Sequence, residues 1–359
     1  MKVIDKHLLR EMVKFVFIAL GAVVVIYLLI DLFEELNYFT SRKAGFFTIV
    51  LYYVYSLPAA ITLLYPVSLL LGVFLVYGQL TRHRELAALE SAGVKATRLF
   101  VPAAAVGLAT VLLYLGGNEL LAIPAAARLS DLRRYKIEKR SVATAQQRKN
   151  LYMVGEQGRV FFMREFLSSG TMRGFTIKEL GSDRKVVRRI DGTDAMFREG
   201  RWVAHGVELR EFRTDGTEEL AMHDSLVLED IPEKPADFMR TPRPVGETST
   251  KELRKYIAKL RRAGENVAHE EVEYHYRFSY SLIGLIVVLL GLPLSVRLRR
   301  GGVMFGLGLG LLVSFLYWGA IQMSRAYGTS HVVSPAMAAW MPNILFAGVA
   351  VVLWLKVRQ

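Results

Sequence analysis

The residues best suited to chemistry are scattered along the chain, and most fail a spacing test. His269-Glu270-Glu271-Val272-Glu273 opens like a zinc-protease helix, in which two histidines four apart hold the metal and a glutamate between them acts as base. Here Glu273 stands where the second histidine belongs, and His275 comes too late to replace it on the same helix face. No metal site is expected, and the segment reads as a solvated, charged approach to an apolar run. No Gly-x4-Gly-Lys-Ser/Thr loop occurs, so the chain is not expected to hydrolyse ATP itself. Gly-x-Ser-x-Gly is absent too, and the few serines inside apolar runs lack a lysine or histidine partner at a workable spacing. With zero cysteines there are no disulfides, thiolate metal sites or cysteine nucleophiles. No catalytic residue is therefore assigned. What remains is charge at the ends of apolar runs: the acids Asp31, Glu34 and Glu35, and the cations Arg42, Lys43, Arg277 and Arg325. Arginine and lysine suit phosphate and carboxylate groups. Taken one at a time, each is more often an interfacial anchor.

Composition says what must position such groups. The 359 residues are 52% hydrophobic and 22% charged, with a positive mean hydropathy. That is too apolar for an ordinary soluble enzyme and too charged for a bare helical bundle, so a membrane part plus a sizeable aqueous part is expected. The net charge of +13 raises the question of nucleic acid. The basic residues gather at the ends of apolar runs, however, and no basic-aromatic stripe or zinc-finger spacing is present, so no nucleic-acid partner is expected.

Six apolar runs predict six spans: Phe15–Ile30, Phe46–Tyr77, Leu99–Leu115, Phe278–Val296, Val303–Met323 and Ala338–Leu355. Asp31-Leu-Phe-Glu-Glu follows the first run in place of a small-residue cleavage site, so that run is expected to be retained. The second is longer than a bilayer needs. Pro58 and Pro66 predict a kink or an interfacial start within it. Lys2, Lys6, Arg10, Lys14, Arg82, Arg84, Lys95, Arg98, Arg297, Arg299, Arg300, Lys356 and Arg358 fall on one side, and only Arg42, Lys43 and Arg325 fall in the opposite short loops. The bias puts both termini in the cytoplasm and the long insertion between spans three and four outside.

That insertion, about residues 118–272, changes period. After a charged helical lead-in come LYMV (Leu151–Val154), RVFFMREF (Arg159–Phe166), GFTIKEL (Gly174–Leu180), KVVRRI, RWVAHGVELREF and EELAMHDSLVLE. Asp191-Gly192, Glu199-Gly200 and Asp215-Gly216 read as hairpin turns. Alternating apolar positions at hairpin spacing predict an antiparallel sandwich, jelly roll or open barrel. A proline-rich linker then leads to an amphipathic helix over Thr248–Arg262, with Thr248 or Ser249 as N-cap.

Between spans two and three lies the polar stretch Thr81–Arg98. Leu86 and Leu89 form an apolar stripe flanked by Arg82, Arg84, Glu85 and Glu90, and Gly93 is placed to end a helix. It reads either as a coupling helix through which a cytoplasmic motor moves the spans or as a solvated inter-span loop. Gly302, Gly306 and Gly310 recur every four residues along span five. They predict a close helix approach, within the chain or between subunits.

Taken together, IDKHLLRE at the start, YPVSLLLG in span two, RHRELAALESAG after it and LPLSVRLRRGG after span four resemble the lipopolysaccharide export permeases, the LptF/LptG family. The resemblance covers nearly the whole chain, and the N-terminal motif favours the G type. It implies an α+β membrane protein of six transmembrane helices with a periplasmic antiparallel β-jelly roll between helices 3 and 4. The domains would be 1–117 with a coupling helix at 81–93, 118–272, and 273–359. It further implies an inner-membrane ABC transporter that extracts lipopolysaccharide and passes it to a periplasmic bridge protein. The partners would be a paralogous six-span permease subunit and two cytoplasmic ATPase subunits, which bind the ATP and Mg; this chain would hold no cofactor. Glu85 matches the family's coupling glutamate, with Arg84, Leu86, Leu89, Glu90 and Gly93 around it. Family G subunits carry a lysine where this chain has Asp31, so the headgroup-binding set becomes Arg42, Lys43, Arg133, Arg134, Arg277 and Arg325. Spans one, two and five would hold acyl chains through Tyr27, Leu64, Tyr65, Leu69 and Phe315. A non-transporting scaffold that recruits periplasmic partners is the alternative.

Overall fold

The computed structural model of the chain describes residues 3–139, 148–155, 159–167, 169–181, 185–213, 217–239, 244–262, 266–297 and 302–357. They form two compact units. One comprises Met1–Leu132, Val245–Thr250 and Ala268–Gln359, and the other Arg133–Pro244 with Lys251–Val267. The expected divisions at 117/118 and 272/273 thus fall elsewhere. The third apolar run does not end its helix at Leu115: α5 (Val101–Gly117) continues through a π-helical turn at Asn118–Ala122 into α6 (Ile123–Leu132) and a second π turn at Arg133–Ile137.

The first unit is helical. α1 (Val3–Ser41) and α2 (Phe46–Arg82) are 39 and 37 residues long, about 55–60 Å at ~1.5 Å per residue, well beyond a ~30 Å hydrocarbon core. α2 runs through both Pro58 and Pro66. Two short helices follow, α3 (Glu85–Ser91) and α4 (Ala96–Leu99). Among the described residues, five helices are long and apolar enough to cross a membrane, and there is a sixth if the bent pair α9 (Ala268–Ser281) and α10 (Ile283–Arg297) counts as one span. α11 (Gly302–Thr329) and α12 (Pro335–Val357) complete the set. The core gathers on α2, whose Leu69, Leu70, Val73 and Phe74 are almost wholly buried and pack with Met12, Phe100, Ile283 and Val288.

The α9–α10 bend is 44°. It is built from side chains that take over carbonyls at the helix break, because bare carbonyls in hydrocarbon are costly. Tyr65 donates to the Tyr280 carbonyl at 2.9 Å and Asn343 Nδ2 to the Ser279 carbonyl at 2.6 Å. Ser281 Oγ donates to the Phe278 carbonyl at 2.7 Å.

The second unit is one six-stranded antiparallel sheet: β1 (Arg148–Val154), β2 (Arg159–Phe166), β3 (Thr171–Leu180), β4 (Val186–Arg198), β5 (Arg201–Phe212) and β6 (Glu218–Leu228). The strands pair in sequence order β1-β2-β3-β4-β5-β6. The expected jelly roll is therefore corrected to an up-and-down meander: each hairpin pairs a strand with its chain neighbour, and no crossover occurs among the described residues. Glu199-Gly200 makes a two-residue turn with φ 51° and 84°, the primed geometry that suits sheet twist. Asp191-Gly192 is not a turn. It lies inside β4, where a Cβ on Gly192 would sit 2.3 Å from the Phe175 ring. The Asp215-Gly216 pair lies outside the described residues.

The buried face changes phase halfway along the strands. Phe161 and Met163 alternate on β2 before Phe166, and Met172 gives way to Phe175 and Ile177 on β3. On β5, Trp202 and Ala204 give way to Val207. Gly174 and Gly206, at φ 55° and 57°, lie at this slip, where an L side chain is disfavoured. The segment after β6 covers the apolar face. Phe238, in the short helix α7 (Pro235–Met239), stacks near Phe161, Phe166 and Trp202, and the Trp202 indole donates to the Glu233 carbonyl at 2.7 Å.

Candidate functional site

The polar stretch between the second and third spans is shorter as a helix than expected. α2 runs through Thr81 and Arg82, and Arg84 turns the chain in the left-handed region at φ 61° before α3 begins at Glu85. Gly93 ends α3 at φ 83°. Its N–H donates to Glu90, and that of Val94 to Leu89, at 2.9 and 3.0 Å, the paired bonds of a glycine-terminated helix. Leu86 is buried to 2% in the bundle core, and Leu89 is half-buried against it. Arg84, Glu85 and Glu90 are exposed. Two leucines thus seat the helix on the spans, and an outward charged face is left at its back.

A cavity of about 740 Å³ opens beside α2. Its walls come from α1 (Val13, Val16, Phe17), α2 (Leu57, Ile61, Leu69) and the third-span helix α5 (Ala105, Ala109, Leu113). Of the expected acyl-chain residues, Tyr65 and Leu69 line it, while Tyr27, Leu64 and Phe315 do not. Phe315 is 70% exposed on α11. The fifth-span helix α11 lies elsewhere, with Gly306 and Gly310 packed against α2 at Phe74, which does not line this cavity. A Cβ at either glycine would meet the Phe74 ring at 3.2 or 3.1 Å. Gly302 opens α11. In this chain the glycine repeat seats a side chain of its own α2.

The expected headgroup cations stand in different local settings. Arg42 is exposed and lies over the Tyr38 ring at 4.7 Å; Lys43 is exposed, in the left-handed region at φ 50°. Arg133 and Arg134, half-buried, begin the second π turn. Arg325 pairs with Glu273 and lies over Tyr276 at 4.6 Å. Arg277 is 8% exposed, and its guanidinium is engaged inside the unit: Nη1 donates to Thr250 Oγ1 at 2.9 Å, and Nη2 to the Val245 and Thr248 carbonyls, both at 2.7 Å. Asp31, in the place of the expected lysine, accepts from Tyr53 at 3.1 Å.

Glu119 escaped the sequence reading. From the first π turn its carboxylate accepts the Thr250 N–H at 3.0 Å and the Thr250 hydroxyl at 2.8 Å. Thr250 is the first residue of α8 (Thr250–Arg262), so a carboxylate 131 positions away binds the first turn of that helix. A glutamate directly after an apolar run was the available signal.

On the sheet, Arg189 grips Asp191 with two bonds at 2.7 and 2.9 Å, and Thr176 donates to the same carboxylate at 2.7 Å. Burial alone would raise the Asp191 pKa. The Arg189 and Thr176 bonds outweigh it, so the carboxyl is held below its ordinary value. Arg189 is pushed up by the same bond.

A bundle of apolar helices with an antiparallel sheet inserted after the third of them defines a polytopic membrane protein with an aqueous module. The family model described as lipopolysaccharide export system permease LptF/LptG matches residues 6–356, and the chain belongs to that family. It is accordingly a permease of the lipopolysaccharide export system and an integral inner-membrane protein; the family joins the F and G subunits under one description. No curated protein matches the chain.

Proposed function

We propose that the chain is the G-type permease subunit of an ABC transporter that lifts lipopolysaccharide from the inner membrane and hands it to a periplasmic bridge protein. The observation that carries this reading is α3. Leu86 is fixed in the bundle core, while Glu85 and Glu90 face outward on a helix tied to α2. A partner pressing on that face would move the spans through a packed contact. ATP and Mg would be held by two copies of a separate ATPase, and a paralogous subunit would complete the transporter. The N-terminal IDKHLLRE motif favours the G type. The bent α9–α10 pair then serves as the fourth of six spans, with both termini cytoplasmic and the sheet periplasmic.

The sheet would reach the bridge protein through an edge. Among the described residues, the meander leaves β1 and β6 with one unpaired side each, and an unpaired strand edge is a docking surface for another strand. Arg42 and Lys43, exposed at the α1–α2 turn, are the cations best placed for sugar phosphates. Affinity purification of the full chain tests the reading: an ATPase and a second six-span subunit should co-purify, and Glu85→Lys should release the ATPase. Recovery of periplasmic proteins alone would favour the scaffold alternative.

A further inference from the structure

We propose that the cavity between α1, α2 and α5 is a seat for one zwitterionic glycerophospholipid, separate from the lipopolysaccharide path. The chemistry of its wall sets the ligand class. Thr62, Ser68 and Thr110 line it, but each hydroxyl is turned back onto its own helix, bonding the carbonyls of Pro58, Leu64 and Gly107 at 2.7, 3.0 and 2.7 Å. Tyr65 spends its hydroxyl on Tyr280 at 2.9 Å. Along most of its length the wall therefore offers hydrocarbon and no hydrogen bond.

Two polar side chains remain, Tyr114 and Asn118. Neither has a hydrogen-bond partner among the described residues. They are four apart and so share one helix face, where α5 passes into the first π turn. A long hydrocarbon trough with two donors at one end matches an acyl chain with its ester group: the chain fills the trough, and Asn118 Nδ2 and the Tyr114 hydroxyl donate to the ester carbonyl.

Charge separates this seat from one for lipopolysaccharide. No lysine or arginine lines the cavity, so the phosphates of lipopolysaccharide would find no counter-charge there, whereas a zwitterionic head needs none. Because bilayer and trough are equally apolar, retention comes from packing and the two hydrogen bonds rather than from the hydrophobic effect.

The test uses the full chain reconstituted in nanodiscs of phosphatidylethanolamine with added lipopolysaccharide. A photoreactive residue at Ala109, in the trough, is expected to capture phosphatidylethanolamine. Native mass spectrometry is expected to retain one such lipid, lost in Ala109→Trp and retained about tenfold less in Asn118→Leu, which leaves the trough open. Capture of lipopolysaccharide or of a polypeptide at Ala109, absence of a retained phospholipid, or unchanged retention in Asn118→Leu would each overturn the proposal. All of these readouts are independent of ATPase binding at Glu85, so they fail separately from the transporter reading.

Discussion

Glu119 and Arg277 meet on one hydroxyl group: Thr250 Oγ1 donates to Glu119 Oε2 at 2.8 Å and accepts from Arg277 Nη1 at 2.9 Å. The threonine satisfies a carboxylate and a guanidinium at once, and both charges lie at the ends of apolar helices. Thr250→Val keeps the shape and strips both bonds. It should cost about 1–3 kcal/mol, the penalty for leaving buried polar partners unsatisfied, and Thr250→Ser should restore most of it. Thermal melts of the purified full chain check this, and equal melting of the Val and Ser variants would count against the hydroxyl's double role.

Leu86 and Glu85 are adjacent but should separate stability from coupling. Leu86→Ala opens a hole in the bundle core and should cost about 2–5 kcal/mol. Glu85→Lys, on the exposed face, should leave the melting temperature nearly unchanged, since surface substitutions stay within about 0.5 kcal/mol. Pull-down of the ATPase with each variant provides the second axis: Glu85→Lys is expected to lose it while remaining folded.

A Cβ added at Gly310 would meet the Phe74 ring at 3.1 Å, closer than ordinary contact, so Gly310→Val overpacks the site and should destabilise by about 1–3 kcal/mol. Phe74→Leu in the same chain should recover part of that loss, because the ring is what the added methyls strike. A double-mutant cycle measures the coupling. Additivity of the two changes would mean that the glycine serves a partner subunit instead.

Asp191 links the sheet to acidity. Its folded pKa is depressed, so its contribution is fully present above the unfolded value of about 3.9 and is lost as pH falls through the folded value. Asp191→Asn should remove this acid-side slope and leave the pH dependence near neutrality unchanged. The fluorescence of Trp202, buried under Phe238, follows it during acid titration once Trp318, Trp340 and Trp354 are replaced. Parallel titration curves for the two proteins would argue against the assignment.

Much of the architecture was legible because apolar runs report membrane helices directly. Phe46–Tyr77 lies within α2, and Gly93 ends α3 because only a left-handed residue closes that cap without strain. Glu199-Gly200 was readable for the same conformational reason. Asp191-Gly192 misled because glycine there makes room for a ring, which local sequence does not distinguish from a turn. The mid-strand change of phase defeats a period-two reading, since the two halves of β3 point their apolar residues by different parity. In the membrane part, Arg277 looked like a ligand-binding cation because its type and position fit one. Its engagement with Val245, Thr248 and Thr250 is a long-range pairing that leaves no periodic trace, and Glu119 was missed for the same reason.

The bend between α9 and α10 bears on how this chain could exchange parts with a paralogue. The carbonyls at the bend are taken up by Tyr65 from α2 and Asn343 from α12, so three separated stretches of the gene encode one joint. A chimera that imports α9–α10 alone inherits a corner without its braces. Recombination that preserves a working protein must carry residues near 65, 280 and 343 as a set, which makes a trio of helices, and not a single helix, the smallest interchangeable block.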